Sequence, residues 1–180
     1  MKITYNILLR VLIITILGTS VSAKAQTKTL LRSQNLESFV GTWQYISGNE
    51  VFRVVLVKGR LDIKDEYGDY LLGGYYYSKN GVVLYDCTQN IPTVYTDASS
   101  DFYTGPAISG TNGSYSIERI TPNRARLWLN DYLYDKWGQV FFTLQSATSA
   151  RFELKEVWGK DPDWPDGFSI PTDVVLTKVK

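Results

Sequence analysis

The residues best suited to binding a ligand are tyrosines, which are concentrated in the middle of the 180-residue chain. Six of them lie close together: Tyr67, Tyr70, Tyr75, Tyr76, Tyr77 and Tyr85. On a β-strand Tyr75 and Tyr77 would face one side and Tyr76 the other, because side chains alternate. Aromatic rings that carry hydroxyl groups suit a pocket for an apolar or aromatic molecule. They also suit cross-strand packing in a twisted sheet, and the sequence leaves both interpretations open.

A second group of candidate residues lies nearer the C-terminus. Arg126 and Trp128 share one face of a predicted strand and lie near Trp137, so a cation–π contact between them is feasible. The sequence does not decide whether that face turns inward or outward. The residues predicted to bind a ligand inside a barrel are Tyr75, Tyr77, Trp128 and Phe142.

Several catalytic chemistries are excluded by composition. The chain contains no histidine and a single cysteine, Cys87. This rules out Ser-His-Asp and Cys-His catalysis, the usual zinc sites and an internal disulfide. Glu153 and Glu156 would lie on opposite faces of a strand, so they do not converge as a pair of catalytic carboxylates. We predict no catalytic residue and no cofactor.

A proline-rich loop near the C-terminus contains Asp161, Asp163 and Asp166. Alternating acidic residues can bind calcium, which prefers several oxygen ligands. The spacing differs from that of an EF-hand, and Pro162 and Pro165 restrict the backbone. We therefore expect a solvated acidic turn and no metal site.

Residues 1–25 have the features of a signal peptide. Lys2 and Arg10 accompany an apolar run that ends in the small residues of Ala23-Lys24-Ala25, which predicts cleavage before Gln26. The alternative is a membrane anchor, but the uninterrupted apolar core at 11–17 falls far short of the ~20 residues that span a membrane. We expect an exported protein, periplasmic or extracellular, with no membrane attachment after cleavage.

The charge balance argues against a nucleic-acid partner. The chain has 19 Lys and Arg against 18 Asp and Glu, and removing Lys2, Arg10 and Lys24 leaves 16 basic residues and a net charge of −2. This charge balance does not indicate binding to nucleic acid. The sequence also has no basic amphipathic helix of the kind that binds a membrane surface. The remaining length fits one domain, predicted at 38–180 after a flexible segment at 26–37. The oligomeric state is left open.

The fold class follows from a period of two in hydrophobicity that starts near residue 40. Gly48-Asn49, Asn80-Gly81 and residues 147–150 read as hairpin turns, and Asn80-Gly81 predicts a type I′ turn. Eight to ten short strands and one helical turn at 35–39 indicate an all-β protein, a meander folded as a sandwich or a barrel. We predict a single antiparallel up-and-down β-barrel, with 87–112 as a long connection in which a short strand at 93–96 is feasible.

Gly41-Thr42-Trp43, after the short helical turn, resembles the signature of the calycins, which include lipocalins and fatty-acid-binding proteins. The resemblance implies a barrel that Trp43 closes at one end, with Gly41 letting the chain pass close over that end. Lipocalins also place an Arg on the last strand against this Trp, where the present chain offers Lys178 and Lys180. Their later turn motif is matched only loosely by residues 130–132.

A more specific resemblance is to a family of uncharacterised exported proteins typical of Bacteroidota, a domain of unknown function. It is carried by the segments "AKAQ", "VGTWQY", "FRVVLVKG" and "FSIPTDVVLTK". These segments lie at both ends of the chain, and the resemblance implies a single exported domain without an established activity.

Two functions follow as expectations. The first is a secreted β-barrel that binds an apolar or aromatic small ligand in its interior. The second is an envelope-associated or extracellular interaction domain with a packed core and no small ligand. A cavity above ~300 Å³ lined by the four predicted residues would favour the first, and a filled core the second.

Overall fold

The structure is a computed structural model and describes residues 27–97, 105–114, 120–156 and 165–179. Its described residues form one 3-10 turn, at Leu36–Ser38, and eleven strands. The strands are β1 (Thr29–Leu31), β2 (Gly41–Ser47), β3 (Glu50–Asp62), β4 (Glu66–Lys79), β5 (Val82–Asp86), β6 (Val94–Thr96), β7 (Ile108–Thr111), β8 (Arg124–Asp131), β9 (Lys136–Leu144), β10 (Ser149–Lys155) and β11 (Asp173–Val179).

Eight of the strands close into a barrel in chain order. Strands β2, β3, β4, β7, β8, β9, β10 and β11 each pair antiparallel with the next, and β11 pairs back onto β2. The closing ladder pairs Lys178 with Trp43, and the short β4–β7 ladder pairs Leu72 with Ser109. The prediction of an all-β, up-and-down barrel is confirmed, and the closed meander is consistent with a calycin-like barrel.

The predicted turns between neighbouring strands are present. Gly48, in the β2–β3 hairpin, has a φ of 56°. Asn80 and Gly81, between β4 and β5, have φ values of 54° and 78°, as a type I′ turn requires. The third hairpin, of β9 with β10, is also present, but its turn lies at 145–148, about two residues before the predicted 147–150, since β10 begins at Ser149.

Three strands lie outside the barrel ladder. β5 continues the β4 hairpin, while β1 runs parallel to β4 and β6 runs parallel to β3. The far ends of β3 and β4 therefore belong to a small four-stranded sheet, β1-β4-β3-β6. The segment at 26–37, expected to be flexible, contributes β1 to this sheet. The connection at 87–112 contains β6, at the place where the sequence allowed a short strand, and also the barrel strand β7, which the sequence did not predict.

Side-chain alternation defines the core. In β8, Ala125, Leu127 and Leu129 are fully buried, whereas Arg124 and Trp128 are exposed. The same alternation continues around the barrel and builds one apolar cluster. Its largest fully buried apolar and aromatic side chains include Trp43, Tyr75, Phe39, Phe52, Phe142, Phe152, Leu56, Leu71, Ile108 and Leu127. Burying each such side chain contributes roughly 1.5–3 kcal/mol to folding.

Candidate functional site

Three of the four predicted ligand-binding residues face the barrel interior. Tyr75 and Phe142 are 0% exposed, and Tyr77 is 4% exposed. The ring of Phe142 lies 5.4 Å from that of Trp43, centroid to centroid. The ring of Phe52 lies 6.3 Å from Tyr75 and 6.4 Å from Tyr77. Edge-on contacts at these distances are the usual packing of aromatic rings in a protein core.

Five of the described interior side chains leave no room for a ligand against them. A side chain with zero exposure has no surface that a water molecule could touch, whether from bulk solvent or from an internal void. This holds for Phe52, Tyr75, Leu127, Phe142 and Phe152. A cavity of ~300 Å³ lined by these residues would leave part of their surfaces open. They pack against one another as a core.

The interior tyrosines are held in the neutral form. The Tyr75 hydroxyl accepts a hydrogen bond from the backbone N–H of Tyr132 at 3.2 Å. Burial raises the pKa of Tyr75 well above its usual value, and the Asp131 carboxylate raises it further. The Tyr77 hydroxyl donates to Glu50, and burial raises the pKa of Tyr77 to about 12. These hydroxyls therefore remain protonated near neutral pH and are already hydrogen-bonded.

The fourth predicted residue, Trp128, does not join the other three. Its neighbours Leu127 and Leu129 point inward, so Trp128 points outward and is 39% exposed. Its ring meets Trp137 edge to face, with centroids 5.2 Å apart. Trp128 therefore lies outside the barrel, because a strand sends successive side chains to opposite sides of the sheet, and a role of Trp128 in ligand binding stays a prediction.

Trp128 belongs to a surface that we term the aromatic–cationic face, on the outside of β8, β9 and β10. It consists of Arg124, Arg126, Trp128, Trp137, Phe141 and Lys155. Three cations surround one ring: the guanidinium carbons of Arg124 and Arg126 lie 4.3 and 5.9 Å from the Phe141 centroid, and the Lys155 ammonium lies 5.4 Å away. The described cation–π contact of Arg126 is with Phe141, whereas the sequence had left open a contact with a tryptophan.

The cations of this face differ from their neighbour Arg151 in forming no ion pair with a described carboxylate, although Glu153 lies directly across the ladder from Phe141. Arg151 forms a salt bridge with Asp173, with Nη2 and Oδ2 2.8 Å apart, and lies 3.6 Å from Glu153. Within the described parts of the chain, no carboxylate comes within 4 Å of the charged groups of Arg124, Arg126 or Lys155. The face therefore presents three positive charges beside exposed aromatic surface.

Gly41 and Trp43 lie where β2 begins and β11 ends. Trp43 is fully buried, and its indole N–H donates to the carbonyl of Phe39 at 2.8 Å. The Lys178 ammonium lies 4.9 Å from the Trp43 ring centroid. Gly41 has a φ of 130°, and a Cβ there would lie 2.8 Å from Lys178 Cε. Closure of the barrel end by Gly41 and Trp43 stays a prediction.

A buried carboxylate lies at the end of β8. Asp131 is fully buried and accepts hydrogen bonds from the backbone N–H and hydroxyl of Ser169 and from the N–H of Leu133 at 3.2 Å. The Ser169 N–H lies 2.6 Å from Oδ2. Because all these donors belong to the protein's own turns, Asp131 joins the β8–β9 turn to the segment at 165–171.

A buried cation lies directly across the ladder from Asp131. Lys136 is 1% exposed, donates to Glu156 Oε1 at 2.8 Å and to the Pro165 carbonyl at 3.3 Å, and lies 4.5 Å from the centroid of Phe168. The sequence analysis missed both buried charges. The signal was present, since Asp131 and Lys136 occupy the same alternating positions as the inward Leu129 of β8 and the inward Val140 of β9.

Metal and thiol chemistry have little support in the described structure. Asp161 and Asp163 of the acidic loop lie outside the described residues, and those that are described contain no group of three or more Cys, Asp and Glu able to hold a metal. Cys87 is half-buried; its thiol donates to the Tyr75 carbonyl at 3.4 Å, and burial raises the pKa of Cys87 to about 11. The thiol is therefore a weak nucleophile. No helix in the described ranges is long and apolar enough to cross a membrane.

A surface cleft of about 560 Å³ lies beside the four-stranded sheet. Its lining includes Leu30, Arg32, Arg60, Tyr67 and Asp69. Arg60 and Asp69 are opposite each other across the β3–β4 ladder, so cationic and anionic groups are mixed there. The cleft therefore offers no charge pattern that selects one class of ligand.

Comparisons with known proteins add a family assignment. No match was found among curated proteins or among solved structures. A family model described as "Family of unknown function (DUF6705)" matches residues 1–179, which is nearly the whole chain. The chain therefore belongs to this family of unknown function.

Proposed function

We propose that this protein is an exported interaction domain, a β-barrel with a packed core that recognises its partner through its outer surface. The observation that carries the proposal is the complete burial of Tyr75 and Phe142, two of the residues expected to line a ligand cavity. Their rings contact other core rings, so the described interior has the character of a folding core. Of the two functions that the sequence left open, this packing supports the second.

The outer surface offers a better contact region than the interior. The aromatic–cationic face combines exposed indole surface at Trp128 with three cations around Phe141. Tryptophan and arginine are enriched among the residues that contribute most to binding at interfaces. This makes the face the natural candidate for the recognition surface of the domain.

Export is part of the proposal and rests on the signal-peptide features of residues 1–25. An exported interaction domain would meet its partner in the periplasm or outside the cell. Mass spectrometry of the protein recovered from its native host tests this step. The expected N-terminal residue is Gln26, and recovery with residues 1–25 still attached would contradict export by cleavage.

The packed interior is tested by comparing one inward and one outward aromatic residue. Phe142→Ala removes a buried ring, and in a packed core this lowers the free energy of unfolding by about 3–5 kcal/mol. Trp128→Ala removes an exposed ring and is expected to cost less than about 1 kcal/mol. Urea unfolding followed by circular dichroism measures both. Phe142→Leu, a smaller change, replaces Phe142→Ala if the latter does not fold.

A carrier would behave differently in two measurements. Its interior would tolerate loss of the Phe142 ring, because the ring would border a cavity and not close-packed neighbours. Native mass spectrometry of the wild-type protein would also detect a retained small molecule, which Tyr75→Ala would release. Either result would overturn the proposal in favour of an interior ligand.

A further inference from the structure

We propose that the aromatic–cationic face binds an acidic polysaccharide, a chain of sugar rings that carry carboxylate groups. This inference rests on the proposed function, because it names the partner of the outer surface. The inference is built on the positions of the three cations, the exposure of Trp128 and the polar group between them.

The three cations define a point of attraction for an anion. Arg124, Arg126 and Lys155 all lie within 5.9 Å of the Phe141 ring centre, so their charges repel one another. Within the described residues no carboxylate forms an ion pair with any of them. Glu153 is the cross-strand partner of Phe141, but its carboxylate lies 3.6 Å from Arg151, so the four cations of this side of the sheet share one described carboxylate at the ring. A bound carboxylate would relieve this repulsion, and the flat guanidinium of an arginine matches a carboxylate in a two-pronged contact.

The aromatic part of the face selects rings over isolated anions. Trp128 is 39% exposed, and Trp137 meets it edge to face at 5.2 Å. The faces of aromatic rings carry partial negative charge, so they attract the weakly positive C–H groups along a sugar ring. A sugar ring over Trp128 would place its substituents toward the neighbouring polar and cationic side chains.

The polar group between the two parts of the face is Gln139. Gln139 is the cross-strand partner of both Trp128 and Lys155, so it lies between an indole and an ammonium. Its half-exposed amide has both donors and an acceptor, as a hydroxyl group requires. The face thus offers stacking, hydroxyl recognition and carboxylate recognition side by side, the three features that an acidic sugar chain presents.

Single-stranded nucleic acid is the main alternative polyanion, because it too combines rings with negative charges. The overall charge disfavours it. The chain carries a formal net charge of +1, with 19 basic and 18 acidic residues, whereas nucleic-acid-binding domains are strongly basic. Three cations on one face suit a contact with a few carboxylates better than a long path of phosphates.

Affinity gel electrophoresis of the wild-type protein tests the inference. The gels contain polygalacturonate, alginate, fully methyl-esterified polygalacturonate or single-stranded DNA. We expect retardation by at least one of the two acidic polymers, less retardation at high salt because ions screen the attraction, and none by the methyl ester. Arg126→Ala and Trp128→Ala are each expected to weaken binding about tenfold, the loss typical of one charge-assisted or stacking contact.

Arg53→Ala is the matched control. Arg53 lies on the exposed side of β3, 5.0 Å from the Tyr76 ring, so it is a cation over an aromatic ring outside the proposed site. Its removal should leave retardation unchanged within about twofold. The inference is overturned if neither acidic polymer retards the protein, if the three variants behave alike, or if DNA binds as tightly as the polymers.

The two proposals fail in different ways. If the acidic polymers do not bind while Phe142→Ala is strongly destabilised, the polysaccharide is wrong and recognition by the outer surface survives. If Phe142→Ala is fully stable or a small molecule is retained, the interaction-domain proposal is wrong, whatever the polymers do.

Discussion

The ammonium group of Lys178 on the last barrel strand lies 4.9 Å from the ring centre of Trp43 on the first. The two residues are also cross-strand partners in the ladder that closes the barrel. Lys178 Nζ is 3.5 Å from the carbonyl of Ser38 as well, in the 3-10 turn that precedes β2. One lysine thus contacts both the indole and the chain that enters the barrel, on the strand where lipocalins use an arginine.

We predict that Lys178→Met lowers the free energy of unfolding by about 1–2 kcal/mol. Methionine keeps most of the apolar stem but removes the charge, so the loss reports the cation–π contact with Trp43. Lys178→Arg, which keeps a cation, should stay within about 0.5 kcal/mol of the wild type. Urea unfolding followed by tryptophan fluorescence measures both, and equal stability of Lys178→Met and the wild type would mean that this contact contributes nothing.

Gly41→Ala should be destabilising by about 2–3 kcal/mol. The backbone at Gly41 has a φ of 130°, which residues with a Cβ rarely adopt, and the new methyl group would meet Lys178 Cε at 2.8 Å. Gly48→Ala is the control: Gly48 has a φ of 56° and open space around it, so only the backbone cost of about 1–2 kcal/mol applies.

The double variant Gly41→Ala, Lys178→Ala separates the two causes at this site. Removing the Lys178 side chain relieves the steric contact but leaves the backbone strain, so the two substitutions should not be additive. Chemical unfolding of the four proteins in this cycle provides the coupling energy. Strict additivity would show that the methyl group never meets the lysine.

Much of the barrel could be predicted because its strands follow local rules. The alternation of Ala125, Leu127 and Leu129 with charged residues marks a half-buried strand, and Asn80-Gly81 favours one turn type. β7, by contrast, has only four residues, Ile108–Thr111, one of them glycine. It is a strand because β4 and β8 pair with it on either side, and such a partnership between distant segments leaves no local pattern.

The candidate site was harder to predict than the fold. Alternation by itself separates the two faces of β8 without saying which of them is inward. For this reason Trp128 was placed among the candidate interior residues. The inward direction could have been taken from Ala125, Leu127 and Leu129, which form the more apolar face. The approach of Arg124 and Lys155 to Phe141 depends on the register of three strands, which the sequence does not display.

Asp131→Ala is expected to lower the free energy of unfolding by about 3 kcal/mol. The buried carboxylate accepts hydrogen bonds from Ser169 and Leu133, and its loss leaves these donors unpaired. Asp173→Ala is the control: Asp173 forms a solvent-exposed salt bridge with Arg151, so its removal should change stability much less than Asp131→Ala does. Thermal or urea unfolding measures both variants. Similar losses in the two would refute a structural role for the buried carboxylate.

The free energy of unfolding should fall at alkaline pH, because the folded state buries tyrosine and cysteine side chains in their protonated forms. Burial raises the pKa of Tyr75, Tyr77 and Tyr85 above the ordinary 10.0, to about 12 for the latter two, and the pKa of Cys87 from 9.0 to about 11. The folded state therefore binds these protons more tightly than the unfolded state. Their contribution to stability is complete below the pKa values of the unfolded state and is lost as the pH rises through the pKa values of the folded state.

We expect urea midpoints that are level from about pH 7 to 8.5 and that decline from about pH 9 upward. Cys87→Ala should remove the earliest part of the decline, between about pH 9 and 10, because the thiol has the lowest unfolded pKa of the four. A midpoint that is unchanged at about pH 10.5 in the wild type would contradict the burial of these groups.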